Sequence, residues 1–192
     1  ALGGHNTGAF RLQFLWQASD RFSALLNLHG WELDGTARVF RANILKPGSN
    51  DLASGFSQDK VYQDGLNDQE ISSQGGAFTL NYEFDFGTLT AITGYETLDM
   101  FSRGDIDGGF GAVFAPPSGP GFIPFPSESA DGLPELDQFT QEIRLASDTG
   151  GAWDWLVGFF YFDESLQADS FSYNSLGGNV QDGYAFQVQD AE

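Results

Sequence analysis

Cysteine is absent from this chain, and basic residues and long apolar runs are scarce. A lack of cysteine fits a protein of a reducing compartment and equally one exported through an oxidising compartment without disulfides. Lysine and arginine total 8 against 27 aspartates and glutamates, so the formal net charge of −19 argues against a nucleic-acid partner. No apolar run is long enough for a membrane-spanning helix, and no signal peptide or lipidation signal gives evidence of targeting.

Residues for catalysis and for metal binding are equally few. His5 and His29 are the only histidines, and neither has the spacing of a metal-ligand motif. No serine lies in a nucleophile elbow, and no glycine-rich run leads from a strand into a helix to hold a phosphate. Adjacent acids such as Asp163 and Glu164 point to opposite faces of a strand, so they cannot form a catalytic pair. The sequence therefore predicts no enzyme, no metal site and no cofactor.

Glycine and aromatic residues are abundant instead. The chain has 25 glycines and 19 phenylalanines, and aromatic residues make up 15% of it. Because helix-forming lysine, methionine and arginine are few, this composition favours β-structure with many turns. The apolar fraction of 41% is that of a folded domain rather than of a disordered chain.

Two extended segments joined by a short polar turn occupy residues 138–164. A strand places successive side chains on opposite faces, so the composition of each face can be read from alternate positions. The length of the second segment suits a strand that crosses a bilayer at a tilt. In the first segment Phe139, Ile143 and Leu145 lie opposite Thr140, Glu142 and Arg144, and in the second one face carries Trp153, Trp155, Val157, Phe159 and Tyr161.

Two further hairpins with the same alternation precede this one. The first pairs residues 10–17 with residues 22–32 around the turn ASDR, and the second pairs residues 77–84 with residues 88–99 around the turn DFG. We therefore predict an all-β fold, an antiparallel meander of about six strands. The apolar faces of the two hairpins carry Phe10, Leu12, Phe14, Trp16, Phe22, Ala24, Leu26, Leu28, Phe78, Leu80, Tyr82 and Phe84.

Long polar segments separate the three hairpins. Residues 33–72 contain strong turn signals, and residues 100–137 contain six of the seven prolines, which argue against a central strand or a helix. A stretch rich in Gly, Asn and Asp follows from Ser165. Short and long connections thus alternate, as in outer-membrane barrels with short periplasmic turns and long extracellular loops. We expect an open fragment of a large transmembrane β-barrel with long extracellular loops, its apolar face towards lipid.

Aromatic side chains gather at both ends of the predicted strands, as in the aromatic girdles of such barrels. The alternative is a soluble β-sandwich, in which the same alternation would bury these residues against a second sheet. The opposite face, with Arg11, Asn81 and Glu142, favours the barrel because it suits a wet or plugged lumen. Beside the short turns lie Trp16, Phe22, Phe84, Trp153 and Trp155, and towards the long connections lie Tyr95 and Tyr161.

Three motifs resemble the barrel strands of TonB-dependent outer-membrane receptors. FTQEIRLAS followed by WDWLVGFFYFDE is similar to paired strands of that family, and LTAITGYETLD and LQFLWQASDRFSALLNLHG are similar to two other parts of its barrels. The resemblance covers about residues 10–184, with the hairpins in the family's order. It implies that residues 1–192 are part of a single barrel domain of such a receptor, in the bacterial outer membrane.

The resemblance also implies a function and partners. Receptors of this family import scarce nutrients such as siderophores, vitamins or glycans through a plugged barrel of about 22 strands, using energy from an inner-membrane complex. Six strands cannot close a barrel, since the smallest need about eight. We expect this chain to be an internal piece, without the plug and without the N-terminal region that engages the TonB energy-coupling complex. Its other expected partners are outer-membrane lipid and a small-molecule substrate.

Two other functions stay open at this point. The first alternative is a passive outer-membrane porin or structural protein, which would have no plug and no energy-coupling segment. The second is a soluble β-rich binding module, which would need no detergent to remain in solution. The sequence does not identify a substrate for any of the three.

The proline-rich segment of residues 100–137 supplies the candidate ligand contacts. Exposed aromatic rings on a stiff loop offer apolar contact area at little entropic cost, and the segment has one basic residue among six acidic ones. The alternative is that the phenylalanines pack the loop onto its neighbours. The predicted ligand-binding residues are Arg103, Phe110, Phe114, Phe122 and Phe125.

Two short motifs in the same segment have no assigned function. Residues 103–105 spell the adhesion tripeptide Arg-Gly-Asp, which a loop rich in glycine and aspartate contains by chance. Residues 105–108 (DIDG) resemble the opening of a calcium loop, but Gly109 occupies the third acidic position and no glutamate follows at the required spacing. The motif alone does not predict a calcium site, and calcium binding by the acidic loops stays open.

Overall fold

Seven antiparallel strands form one sheet in the part of the chain that the structure describes. The computed structural model describes residues 2–41, 44–46, 48–61, 63, 65–108, 128–174 and 177–192. Each strand pairs with the next along the chain, so the spatial order is the sequence order. The prediction of an all-β antiparallel meander in one open sheet is confirmed. The strands are β1 His5–Ser19, β2 Phe22–Gly35, β3 Asp68–Phe84, β4 Gly87–Asp105, β5 Glu128–Ser147, β6 Leu156–Asn174 and β7 Val180–Ala191.

The seventh strand was not expected. β7 lies in the stretch rich in Gly, Asn and Asp that follows Ser165, where no strand was predicted. Residues 175–179 connect it to β6, and this connection is closed where the N–H groups of Gly177 and Asn179 donate to the carbonyl of Asn174. The expected alternation of short and long connections therefore ends here, because this short connection lies at the same edge of the sheet as the two long ones.

The strands also extend further towards the long connections than predicted. β3 begins at Asp68, β4 continues to Asp105 and β5 begins at Glu128, all inside segments that we expected to be irregular. These extensions mix polar and apolar residues on both faces, so they have no regular alternation to reveal them. Backbone pairing with a neighbouring strand nevertheless satisfies their N–H and C=O groups.

Pro134 lies inside β5, so the expectation that prolines exclude a strand there was wrong at this position. The pairing of β5 is irregular on both sides of this proline. Where β5 pairs with β4, the register shifts between the β4 residues Leu98 and Met100. Where β5 pairs with β6, it shifts between the β5 residues Gly132 and Glu135. A β-bulge leaves one residue of the ladder unpaired. Proline has no N–H to pair, and the bulge therefore accommodates it.

The turn between β5 and β6 is longer than the sequence indicated. We expected a strand from Trp153 onwards, but β6 begins at Leu156 and Trp153 is 84% exposed within the connection. The backbone N–H of Ser147 donates to the carbonyl of Trp155, and the N–H of Trp155 donates to the Ser147 hydroxyl, both at 2.8 Å. These two bonds close an eight-residue connection, of residues 148–155, at its strand ends.

The pairing register gathers many of the large apolar residues of neighbouring strands on one face. Residues directly opposite each other in an antiparallel pair project from the same face of the sheet. One row of such partners crosses six strands, and a parallel row runs beside it through Phe14, Leu26 and Phe78. We call this side the apolar face. Its first row is Trp16, Ala24, Leu80, Ala91, Ile143 and Phe159.

The opposite side of the sheet, which we call the polar face, carries the alternate residues. Here Gln13 pairs with Asn27, and Glu142 pairs with Phe160 on β6. Several rings and branched side chains lie among the polar groups on this side. Its polar members include Arg11, Gln13, Asn27, His29, Asn81, Glu83, Glu96, Glu142 and Arg144.

No second layer covers the apolar face in the part of the chain that the structure describes. Phe14 is 64% exposed and Phe159 is 61% exposed, and the buried apolar residues among those described are three alanines, Ala24, Ala37 and Ala130. Along β2, the exposed positions Leu26 and Leu28 lie on the apolar face, while the alternate positions are half-buried. A soluble domain normally buries such side chains. The described residues include no helix that is long and apolar enough to span a membrane.

Candidate functional site

The apolar face is divided into a band beside the short turns and an acidic region beyond it. On β2 the band ends at Leu28, and Glu32 and Asp34 follow on the same face. On β3 it runs from Tyr82 to Gly76, and Glu70 lies further along. The change occurs at matching rows of neighbouring strands, because the register aligns Leu28 with Gly76. We call this stretch the apolar band.

Aromatic rings line the edge of the apolar band beside the short turns. The centroids of Trp16 and Phe22 are 5.7 Å apart in an edge-to-face arrangement. Those of Tyr82 and Phe84 are 4.7 Å apart, and Phe84 stacks on Phe86 at 5.2 Å. The aromatic edge predicted from Trp16, Phe22 and Phe84 is therefore present, whereas Trp153 lies in the connection instead of a strand.

Two tyrosines lie at the opposite edge of the apolar band. The hydroxyl of Tyr95 donates to Asp137 Oδ1 at 2.6 Å, and that of Tyr161 donates to Asp163 Oδ2 at 3.2 Å. The ring of Tyr161 lies 6.2 Å from that of Phe139. Each tyrosine thus keeps its ring on the apolar side and its hydroxyl on the acidic side, which is the arrangement that this side chain favours at a boundary between apolar and polar surroundings.

The distance between the two aromatic edges can be read along β3. Tyr95 pairs with Gly76, and Phe84 lies at the other edge of the band. The intervening strand has about nine residues, and at about 3.3 Å per residue it is about 26 Å long. A strand that crosses the hydrocarbon core of a bilayer has about 9–11 residues. The apolar band therefore matches one bilayer core in length.

A contact between side chains crosses three strands on the polar face. His29 Nε2 lies 3.1 Å from Glu96 Oε2, although β2 and β4 are separated by β3. Gly75 is the residue between them, and a Cβ built there would lie 1.8 Å from Glu96 Oε2. The absence of a side chain at Gly75 therefore opens the path. His29 Nδ1 is buried and has no hydrogen-bond partner.

Two other pairs of polar-face groups bond to each other, whereas Asn27 Oδ1 is buried without a hydrogen-bond partner. The Thr90 hydroxyl donates to Asn81 Oδ1 at 2.9 Å, and Arg144 pairs with Glu142 at 3.1 Å. Both signs of charge are present, so this face has no strong field of one sign. Within the described ranges, no group of three His, Cys, Asp or Glu side chains is arranged to hold a metal ion.

Arg103, one of the five predicted ligand-binding residues, lies in a cluster beyond the apolar band. Its guanidinium forms an ion pair with Glu128, stacks on the ring of Tyr173 at 3.6 Å, and donates to the carbonyl of Asn179 at 3.4 Å. These contacts join β4 to β5, to β6 and to the connection before β7. The role of Arg103 in ligand binding stays a prediction. The other four, Phe110, Phe114, Phe122 and Phe125, lie outside the described residues.

Three carboxylates are buried beside Arg103. Asp105 and Glu128 are paired across β4 and β5 and are each 1% exposed, and Asp107 is 3% exposed. The N–H of Leu66 donates to Glu128 Oε1 at 3.0 Å, so the segment before β3 reaches this cluster. Sequence reasoning identified Asp105 and Asp107 but not Glu128. Glu128 becomes their neighbour only because β4 and β5 pair in this register.

No protein-family model, no curated protein and no solved structure matches this chain. The resemblance to TonB-dependent receptors therefore rests on the three sequence motifs and stays a prediction. The class that the structure itself defines is an all-β protein with a single antiparallel sheet, one face of which is apolar and uncovered among the described residues.

Proposed function

We propose that this chain forms part of the wall of a β-barrel in the bacterial outer membrane, and that the barrel is a TonB-dependent receptor that takes up a scarce nutrient. The observation that carries the first half of this proposal is the apolar band with an aromatic row at each edge. Exposed side chains such as Phe14, Leu26 and Phe159 are unfavourable in water, and burying one stabilises by about 1.5–3 kcal/mol. Hydrocarbon chains are the partner that fits a band of this length.

The free edges of the sheet support a barrel that continues beyond these strands. Among the described strands, β1 and β7 each pair on one side only, and both run from the long-connection edge towards the short-turn edge. An exposed strand edge invites pairing, and a closed barrel leaves none. Because β1 and β7 run in the same direction, an all-antiparallel barrel needs an odd number of further strands between them. The seven strands therefore represent an incomplete barrel wall.

Nutrient uptake is proposed from the resemblance together with the loops and the polar face. Two long connections, of residues 36–67 and 106–127, leave the same edge of the sheet. Loops at one end of a rigid scaffold are where ligand contacts are usually carried. The polar face carries charges of both signs, with Arg144 next to Glu142, and it suits a lumen filled by protein or water. Siderophores, vitamins and glycans remain the candidate substrate classes.

The proposal is tested with the full-length protein that contains this chain. We expect it to sediment with outer membranes and to require detergent for extraction. The nutrient uptake of the wild-type strain should be absent from a strain in which the gene is deleted. It should also be absent from a strain in which the energy-coupling complex is inactivated. A protein that stays monomeric in water without detergent would contradict the membrane assignment. Uptake that continues without the energy-coupling complex would instead identify a passive porin.

A further inference from the structure

A groove of about 520 Å³ lies in the acidic region of the apolar face, beyond the apolar band. The pairing register aligns one lining residue from each of five strands, β2 to β6, in a single row along it. Pockets of about 300–1,000 Å³ are typical of sites for small molecules, so the groove has the size of such a site. The row consists of Asp34, Glu70, Phe101, Gly132 and Asp169.

The middle of this row is open because Gly132 has no side chain. A Cβ built at Gly132 would lie 3.9 Å from Phe101 Cδ2 and 3.8 Å from the Cβ of Asp169, which are ordinary contact distances. The space there can therefore take a non-polar group without a clash. Two aromatic rings lie beside it, since the ring centroids of Phe101 and Phe171 are 6.3 Å apart with their planes inclined at 60°. The groove thus offers apolar contact surface to a ligand.

Carboxylates surround these rings, and no basic side chain is found among the described residues that line the groove. Asp34 and Glu70 lie directly opposite each other on β2 and β3, and both are exposed. Like charges in such a pair are unfavourable. Arg103 is on the same side of the sheet, but it is engaged by Glu128 and Tyr173. A positive charge on the ligand would therefore complement the groove, whose acids are Glu32, Asp34, Glu70, Asp99 and Asp169.

We propose that this groove binds a small organic cation with an apolar body, such as an aromatic ammonium compound. The rings of Phe101 and Phe171 contact the apolar part, and the face of an aromatic ring also attracts a positive charge. The carboxylates of Asp34 and Glu70 neutralise the charge of the ligand, and the ligand relieves their mutual repulsion. A neutral compound would leave that repulsion in place, and an anion would be repelled by the field of the acids.

The proposed site is separate from the proposed transport function. It uses only described residues of β2 to β6, and it lies beyond the apolar band, so it requires neither a plugged barrel nor energy coupling. A cation can bind there whether or not the protein takes up a nutrient.

The test uses the full-length protein in a non-ionic detergent and benzyltrimethylammonium, a permanent cation that carries one aromatic ring. Isothermal titration calorimetry should show saturable binding to the wild-type protein. Benzyl alcohol has the ring without the charge, and tetramethylammonium has the charge without the ring. Each should bind at least about tenfold more weakly, because each lacks one of the two interactions. Added salt should weaken the binding of benzyltrimethylammonium, since the acids are exposed.

Variants distinguish the groove from a general attraction to an acidic surface. Gly132→Leu keeps every carboxylate but fills the space beside Phe101, and it should weaken the binding of benzyltrimethylammonium at least about tenfold. The double variant Asp34→Asn with Glu70→Gln keeps the shape of the groove and should have a similar effect. Asp20→Asn, which removes an exposed carboxylate from the short turn between β1 and β2, is the control and should leave binding unchanged.

A second variant covers the case in which Gly132→Leu lowers the melting temperature. Phe101→Leu keeps an apolar side chain but removes the ring, and it should also weaken the binding of benzyltrimethylammonium. If the wild-type protein does not bind benzyltrimethylammonium, or binds benzyl alcohol equally well, the proposal is wrong. Unchanged binding by both Gly132→Leu and Phe101→Leu would overturn it as well. Tighter binding of tetralysine than of benzyltrimethylammonium, lost in Gly132→Leu, would contradict the small-molecule assignment and identify a basic segment of a partner protein as the occupant.

Discussion

At Gly75 the lack of a side chain permits a contact between two strands that do not pair. The Glu96 carboxylate crosses β3 over this residue and reaches His29 on β2. Both side chains are partly exposed, so the contact is a modest one in energetic terms. Nothing in the alternation of polar and apolar residues indicates it, because it depends on which residues the register places in one row.

Replacing Gly75 with alanine should therefore break the contact between His29 and Glu96. We expect a loss of about 0.5–1.5 kcal/mol in the free energy of unfolding, the usual contribution of one hydrogen bond. Glu96→Gln should destabilise the wild type, but it should have little further effect in the Gly75→Ala background. Gly8→Ala on β1, where a Cβ meets nothing within 4 Å, is the control. Equal effects of Glu96→Gln in both backgrounds would show that Gly75 does not control this contact.

Tyr184 provides a pH-dependent prediction on β7, outside the apolar band. Burial raises the pKa of the Tyr184 hydroxyl above its usual value, and so do its hydrogen bond to Asp169 and the charge of that carboxylate. A pKa raised in the folded state means that the folded protein favours the neutral phenol. Its contribution to stability is complete below the ordinary tyrosine pKa of about 10 and is lost as the pH rises through the raised value.

Asp169→Asn should bring the pKa of Tyr184 back towards its usual value, because the carboxylate charge is removed. Absorbance of tyrosinate measured against pH, with a Tyr184→Phe variant subtracted to isolate this residue, gives the value directly. Ser172→Ala changes a neighbouring strand position that bonds Asp182 instead, and it should leave the titration unchanged. A titration of Tyr184 that is the same with and without Asp169 would contradict the assigned cause.

Single strands show what the sequence could predict and where prediction failed. Leu80 and Asn81 lie where one face is apolar and the other polar, and the period-two pattern assigned both correctly to their faces. β3 residues from Asp68 to Ser73 have no such contrast, so the pattern could not show that the strand extends there. β7 was missed although Tyr184, Phe186 and Val188 alternate with smaller or polar residues, because turn residues around them dominate the composition.

Because β3 has an apolar face and a polar face, we predict different changes in stability when the same substitution is made at two neighbouring residues. Leu80→Arg places a charge in the apolar band, and if this band lies in the membrane it should destabilise the inserted full-length protein by about 2–4 kcal/mol. Asn81→Arg places the same side chain on the polar face, where we expect a change of at most about 0.5 kcal/mol. Denaturant titrations in lipid vesicles measure both. An Asn81→Arg protein as unstable as Leu80→Arg would mean that the faces are assigned the wrong way round.

Arg103 joins several elements at the far end of the sheet, so its loss should loosen that end and not the apolar band. Arg103→Ala removes the partner of Glu128, whose side chain is fully buried, and breaking such a pair costs about 3–5 kcal/mol. Hydrogen exchange should become faster at the amides of Leu66 and Asn179, which belong to the segments that the cluster connects. Amides of Leu80 and Ala91 should exchange as before.

A second variant, Arg103→Lys, is compared with Arg103→Ala. A lysine keeps the charge but cannot stack a planar guanidinium on Tyr173 while pairing with Glu128. We therefore expect Arg103→Lys to keep only part of the protection from hydrogen exchange that Arg103→Ala loses. Full restoration by lysine would show that the positive charge alone holds these segments together, and faster exchange across all strands would show that the effect is not local.

The whole chain exposes more surface than a compact protein of its size. Its accessible surface is 12650 Å² for a mass of 20.9 kDa, whereas a folded monomer of this mass has about 9,000 Å². A sheet of one layer contributes to this difference, because in the part of the chain that the structure describes its large apolar residues have neighbours along the sheet but nothing above them. Such a surface is not stable in water by itself, and a second layer of some kind must cover the apolar face.

The most direct test asks whether hydrocarbon covers that face. Spin labels placed singly at residues 77–83 of the full-length protein, reconstituted in lipid vesicles, report collisions with oxygen, which is soluble in lipid, and with a nickel complex, which is soluble in water. We predict a period of two, with oxygen favoured at residues 78, 80 and 82 and the nickel complex favoured at residues 79 and 81. Uniformly low access to both reagents at residues 78, 80 and 82 would mean that protein covers this face, which would contradict the account.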